Sequence, residues 1–214
     1  MSPAPLRLGL AGLGTVGIGV GRIIQAEAEL IAARAGRPVA ITAVSARDRT
    51  KNRGADLSGY AWETDPVALA KRDDVDVFVE VMGGHDGPAK AATEAAIAAG
   101  KHVVTANKAL LAHHGQALAE AAEAAGLALR FEAAVAGGIP IIKTGQDSFI
   151  GNRILSFSGI INGTSNYILG RMTDAGLTFE AALAEAQALG YAEADPALDV
   201  NGWDAAHKAI VLAT

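Results

Sequence analysis

The chain alternates between short apolar runs and longer stretches of helical spacing, with glycine and proline at the joins. Leu6 to Ala11 predicts a short buried strand, and residues 15–34 carry helical character until Gly36-Arg37-Pro38 breaks the chain. Val39 to Ser45 is rich in strand formers, and a polar loop follows over residues 47–59. Asp65-Pro66 reads as the N-cap and first position of a short helix. Residues 75–81 are almost continuously apolar, as in a parallel strand covered on both faces. An alanine-rich helix over 88–99 ends at Gly100, a strand covers 102–105, a helix covers 109–125 up to Gly126, and a fifth strand covers 127–133. This alternation predicts a doubly wound α/β domain.

The rhythm changes after Glu132. Gly137-Gly138-Ile139-Pro140 predicts a new helix start, residues 154–162 a strand, and residues 167–174, 179–189 and 200–214 helices. The expected organisation is an N-terminal Rossmann-type domain over residues 1–134 and a second, α+β domain over residues 135–214. The chain stops inside its last predicted helix without a C-cap, which reads as the truncation of a longer second domain.

Half of the 214 residues are hydrophobic and 19% are charged, enough apolar material for a sizeable core. The net charge of −5 argues against a nucleic-acid or anionic-membrane partner. The absence of cysteine removes disulfides, thiolate metal sites and a thiol nucleophile, and fits a cytoplasmic location. Residues 6–20 are apolar, but their five glycines and the lack of a cleavage site distinguish them from a secretion signal.

Gly12, Gly14 and Gly17 form G-x-G-x-x-G between the first strand and a helix, the context that gives this motif meaning. The first glycine permits a tight turn, the second lets backbone approach a pyrophosphate, and the third allows close helix–strand packing. A strict NAD protein places an acid near the end of the second strand. Arg47 falls there, with Arg49 and Lys51 behind it, and suits the 2′-phosphate of NADP. A solvated basic loop is the plainer alternative, and Asp48 leaves NAD open. Lys108 follows the strand ending at Thr105 and opens a helix, where its charge opposes the helix dipole. Glu132, beside irregular backbone, suits a monovalent cation better than a divalent one, or else a structural role in a hinge. Glu193, Asp195, Asp199 and Asp204 cluster with Lys208 near the C-terminal end, a set able to grip a small zwitterion and move a proton. Asp204 and Lys208, four apart, could equally be an exposed helical pair. The histidines show no metal-ligand or triad spacing.

The chain resembles homoserine dehydrogenase over essentially its whole length. The resemblance rests on Gly12-Leu13-Gly14-Thr15-Val16-Gly17, on Val104-Thr105-Ala106-Asn107-Lys108, and on Gly159-Ile160-Ile161-Asn162-Gly163-Thr164-Ser165-Asn166-Tyr167. The most specific part is the signature from Ala186 and Gly190 through Asp195-Pro196, Asp199-Val200, Gly202 and Asp204 to Lys208. It implies NAD(P)-dependent interconversion of L-homoserine and L-aspartate 4-semialdehyde in threonine, methionine and isoleucine biosynthesis. It implies Lys208 as proton donor and acceptor, Lys108 at the substrate or cofactor with a share in proton transfer, and Asp204, Glu193 and Asp199 at the substrate. Gly163, Thr164 and Tyr191 would line the substrate pocket. Thr15, Val16, Thr105 and Gly190 would join the glycines at the cofactor. Glu132, Val135, Gly137 and Ile139 would hold sodium, the last three through carbonyls. It further implies a homodimer at full length and, in some members, a regulatory ACT domain. A fused aspartokinase is not expected. A rival dehydrogenase using a cysteine nucleophile lacks its cysteine. An NADP(H)-binding module without turnover is the other alternative.

Overall fold

The structure, a computed structural model, describes residues 3–213. It divides into two compact units, one ending at Ile139 and one beginning at Pro140.

In the first unit, β1 (Leu6–Ala11), β2 (Val39–Ser45), β3 (Ala61–Glu63), β4 (Val77–Glu80), β5 (His102–Thr105) and β6 (Leu129–Arg130) form one parallel sheet in the order β3-β2-β1-β4-β5-β6. The order reverses between β1 and β4, and in such sheets ligands bind outside the strand C-termini at that point. The strands are joined by α1 (Thr15–Ala26), α2 (Ala28–Ala35), α3 (Pro66–Ala70), α4 (Pro88–Ala98) and α5 (Lys108–Ala124). Side chains alternate across a strand. Leu8 and Leu10 therefore pack with Ile18 and Val79 on the α1 face, whereas Ala11 joins Phe78, Val103 and Leu110 on the face covered by α3, α4 and α5. Both faces are filled, so β4 reads as a nearly unbroken apolar run.

The N-terminal edge of the sheet is pinned by ions. Arg7 Nε and Nη2 donate to the two carboxylate oxygens of Asp76 at 3.0 and 2.7 Å, and the Arg7 amide donates to Asp76 Oδ2 at 2.9 Å. This bidentate pair ties the start of β1 to the residue before β4. Arg72 grips Asp74 in the same way and reaches Glu63 on β3 at 2.6 Å.

Several expectations are revised. The helix expected over 15–34 is two helices, because Glu27 leaves helical geometry at φ −111°, ψ 25°. The strand β3 was not expected: it has three residues and pairs only with the end of β2. The strand expected over 127–133 shrinks to Leu129–Arg130, since only those residues find partners on β5.

The second unit contains α6 (Ile141–Lys143), a π turn (Thr144–Ser148), α7 (Gly163–Ala175), α8 (Phe179–Ala188), α9 (Ala197–Val200) and α10 (Trp203–Ala213). Ile168, Ala182, Ala186 and Ala192 form its small core. The helix expected from 167 starts earlier because Asn162 caps it, its side chain accepting from Ser165 N. The helix expected over 200–214 is cut at Gly202, whose φ of +80° is left-handed, and its expected last residue, Thr214, lies outside the described residues. Residues 154–162 are not a strand. A strand needs a ladder partner, and among the described residues this segment has none. Its apolar side chains stand exposed, Leu155 at 85% and Ile160 at 76%.

The Arg7 guanidinium holds the Asp76 carboxyl down at about 2, below its ordinary 3.8. A lowered native pKa gives stability that is present above the unfolded value and lost as pH falls through the native one. The pair is partly exposed, so it contributes about 1 kcal/mol rather than the full shift. Urea unfolding should find Asp76→Asn less stable than wild type at pH 6, with the gap closing between pH 4 and pH 2. A gap that persists undiminished at low pH would sink this account.

Candidate functional site

In the first unit the glycine turn is built by steric necessity. Gly12 has φ +104°, and a Cβ there would lie 2.6 Å from Val81 O. A Cβ on Gly17 would lie 1.9 Å from Gly12 O. Around Gly14 nothing lies within 4 Å of the same probe. Gly14 is the N-cap of α1, and no side chain caps that helix start. The turn is thus closed on its sheet side and open on the other, with Thr15, Val16 and Gly17 supplying the first-turn amides.

The loop after β2 emerges beside this turn, because Ser45 pairs with Ala11 and its carbonyl accepts from Gly12 N at 2.9 Å. Asp48 Oδ1 accepts from Thr50 Oγ1 at 2.7 Å, from Thr50 N at 2.8 Å and from Lys51 N at 3.2 Å. These bonds, the Thr50 hydroxyl first, lower its carboxyl pKa. Arg53 donates to the carbonyls of Asp48 and Lys51 at 2.6 and 2.9 Å. Arg53 and Arg49 both lie over the Trp62 ring, 5.6 and 5.8 Å from its centroid. Asp48 is therefore spent on the loop itself, while Arg47, Arg49 and Lys51 stand exposed. Trp62 gives no signal in the sequence because β3 is only three residues long and only the β2–β3 pairing brings it to this loop, and Arg53 looks like any other charge of a polar loop until its bonds to the Asp48 and Lys51 carbonyls are seen.

At the other side of the strand ends, Lys108 is the first residue of α5 and partly buried. Asn107 caps that helix, accepting from Leu110 N at 3.0 Å, and donates to Gly84 O at 2.6 Å. Thr105, 1% exposed, accepts from Asn107 N and donates to Glu80 Oε2 at 2.6 Å. After β6, Glu132 opens a 3-10 turn (Glu132–Ala134), and residues 135–139 lie outside any helix or strand, with Gly138 at φ +85°. Among the described residues no group of three or more His, Asp or Glu is arranged to hold a metal ion.

The second unit gathers part of the acidic cluster around one lysine. Lys208 Nζ lies 2.8 Å from Asp204 Oδ2 and donates to Ile161 O at 2.7 Å. Asn162 Nδ2 donates to Asp204 Oδ2 and to Asp199 Oδ1, each at 2.8 Å. The Asp204 and Lys208 side chains are only 7% and 19% exposed, so they are not a surface helical pair. Next to Asn162, Gly163 opens α7 and Thr164 Oγ1 donates to Tyr191 O at 2.7 Å. Gly190, at φ +78°, turns the chain out of α8 into that tyrosine. Glu193 is exposed and takes no part in the lysine's bonds, and Asp195 caps the following turn through Ala197 N at 3.1 Å. Asn162 was missed by the sequence reading. Its signal was the Asn-Gly-Thr-Ser run, an N-cap followed by a helix start.

Such a fold and such a cluster define a doubly wound α/β domain of the nucleotide-binding class, joined to a mainly helical unit with a buried lysine–carboxylate site. Family models agree: residues 12–132 match the homoserine dehydrogenase NAD-binding domain, and residues 140–214 match the homoserine dehydrogenase domain. The chain belongs to the homoserine dehydrogenase family. It is 50% identical over 208 residues to a homoserine dehydrogenase of Neisseria gonorrhoeae, covering 97% of this chain and 47% of that protein. It is 48% identical over 210 residues to the one of Pseudomonas aeruginosa, covering 98% and 48%. The crystal structure of a homoserine dehydrogenase from Thiobacillus denitrificans superposes with TM-score 0.88 at 47% identity, covering 96% of this chain and 47% of that one. A hyperthermophilic archaeal homoserine dehydrogenase in complex with NADPH gives 0.84 at 25% identity, covering 98% and 69%. The chain spans about half the length of the curated relatives it matches.

Asn162 satisfies two carboxylates and one helix amide at once. Asn162→Ala should cost about 1–3 kcal/mol. Amide exchange should quicken at Ser165 and along the first turn of α7 while β1, β4 and β5 keep their protection. Unchanged exchange at Ser165 would contradict this role.

Proposed function

We propose that this chain supplies the nucleotide domain and the opening part of the substrate domain of an NADP-dependent homoserine dehydrogenase. Its reaction would interconvert L-homoserine and L-aspartate 4-semialdehyde. The observation that carries this reading is the buried Lys208–Asp204 pair, braced by Asn162 and Asp199, in a chain of this family. The nucleotide domain is taken as residues 1–134 and the substrate domain as beginning at 135, a boundary in the stretch between the two family matches.

The residues fit a nicotinamide dinucleotide. Two glycines sit where any Cβ would collide, one faces open space, and an uncapped helix start follows. When bound, the nicotinamide supplies or takes up a hydride. The chain's own residues manage the proton. The substrate oxygen gains negative charge as the carbonyl is reduced and needs a proton or a cation beside it. Lys208 Nζ is aimed by two acceptors, Asp204 and the Ile161 carbonyl, and serves as that proton donor and acceptor. Asp204 and Asp199, with Glu193, hold the substrate ammonium and fix its orientation. Gly163, Thr164 and Tyr191 shape the pocket, Gly190 lines the cofactor, and Lys108 contributes from the end of β5. Arg47 and Lys51 take the 2′-phosphate, which the inward turn of Asp48 supports. Glu132, with carbonyls of Val135, Gly137 and Ile139, offers hard oxygens to a sodium ion. The reading includes a cytoplasmic homodimer without a nucleic-acid partner. No helix among the described residues is long and apolar enough to cross a membrane.

The test is nicotinamide absorbance with L-homoserine at mildly alkaline pH. Lys208→Ala should abolish homoserine-dependent turnover, a loss on the order of 100-fold or more, while NADPH still binds. Turnover that survives the substitution would remove Lys208 from its role, and NADPH binding without turnover in wild type would leave only a binding module. Arg47→Ala should weaken NADPH about tenfold and NADH little, as loss of one charge-assisted contact predicts. Equal losses for the two cofactors would assign the 2′-phosphate elsewhere.

A further inference from the structure

Glu80 ends β4 in register with Ala11, the last residue of β1, at the point where the strand order reverses. It is wholly buried. Its Oε1 accepts from Met82 N at 2.7 Å and from Gly83 N at 3.3 Å, and its Oε2 accepts from the Thr105 hydroxyl at 2.6 Å. Among the described residues no cation pairs with it. A buried carboxylate is costly, and three donors only offset that cost. The rest of β4 is Val77, Phe78 and Val79, so an apolar residue would have served the sheet alone.

The bonds of Glu80 lead outward to the crevice on both sides. Oε1 closes the turn into Gly83-Gly84 after β4. Oε2 holds Thr105, whose hydroxyl takes the Asn107 amide at 3.0 Å, and Asn107 then caps α5 and clasps Gly84 O at 2.6 Å. The circuit Glu80–Thr105–Asn107–Gly84 closes on itself and joins the loops after β4 and β5. Thr105 is 1% exposed and its hydroxyl is occupied within the circuit, so that hydroxyl acts through its partners rather than on a ligand.

We propose that Glu80 is a positioning residue of the cofactor crevice: through Thr105 and Asn107 it locks the loops after β4 and β5 together and so sets where α5 and Lys108 begin. This rests on the nicotinamide reading above.

The experiment is NADPH fluorescence titration of the full chain, well below its melting temperature, for wild type, Glu80→Gln, Thr105→Val, Thr105→Ser and the Glu80→Gln/Thr105→Val pair. Thr105→Val should weaken NADPH about tenfold, the effect of losing a hydrogen bond to a charged group. Thr105→Ser, which keeps the hydroxyl, should bind like wild type. The double variant should bind no worse than Thr105→Val alone, because both act on one circuit. Where Glu80→Gln fails to fold, the Thr105 pair alone decides. Wild-type affinity in Thr105→Val, equal losses in the Val and Ser variants, or additive losses in the double variant would each overturn the inference while the cofactor reading stands. No NADPH binding by wild type would overturn the cofactor reading and this inference with it.

Discussion

The first unit depends on how closely α1 approaches the end of β1. Gly17 packs its backbone against the Gly12 carbonyl at a distance no side chain allows. That contact brings the start of α1 over the reversal of the sheet, where the strands diverge. The open side at Gly14, the first-turn amides and the loop from β2 all take their places from it. Leu13 and Ile18 then bury against Leu10 and Val44, so the turn is held by core packing as well as by backbone geometry.

Charge is distributed by the direction of the sheet. At the strand N-termini, the partly exposed ion pair Arg7–Asp76 fastens the start of β1 to the approach to β4, and Arg72 with Asp74 closes the turn that leads into β4. At the C-termini Glu80 is buried and satisfied by neutral donors. In the second unit, Asp204 is buried with both a cation and an amide, and the same amide reaches Asp199. Two carboxylates that share one amide are kept from direct opposition, and the lysine between Asp204 and the Ile161 carbonyl has its ammonium aimed rather than merely neutralised.

The sheet was legible because its pattern is local. Strands β1, β2 and β5 match their expected bounds, and the Asp65-Pro66 cap behaves as read, with Asp65 Oδ1 accepting from Val67 N at 2.9 Å. What failed depends on partners distant in sequence. β3 exists only because residues 43–45 lie beside it, and β6 is as short as the stretch of β5 it meets. Residues 154–162 have the composition of a strand and no neighbour among the described residues to make them one. The candidate site divides likewise. Spacing exposed Asp204 and Lys208, since four residues on a helix suffice to bring them together. Glu80, Asn162 and Trp62 act across separations of 25, 37 and about a dozen residues, as Glu80–Thr105 and Asn162–Asp199 show, and nothing in the spacing announces such bonds.

The loop after β2 closes almost entirely on itself. Asp48 bonds Thr50 and Lys51, Arg53 bonds the carbonyls of Asp48 and Lys51, and Trp62 backs the pair of guanidinium groups. Its frame therefore owes little to the side chains at its tip. Arg47 and Lys51 can be exchanged for acids or neutral residues while the sheet, the glycine turn and the core keep their contacts. On the proposed assignment of the 2′-phosphate to Arg47 and Lys51, cofactor choice becomes an evolvable trait, free to drift between phosphate and hydroxyl recognition through a few substitutions, with the stability of the domain left almost untouched.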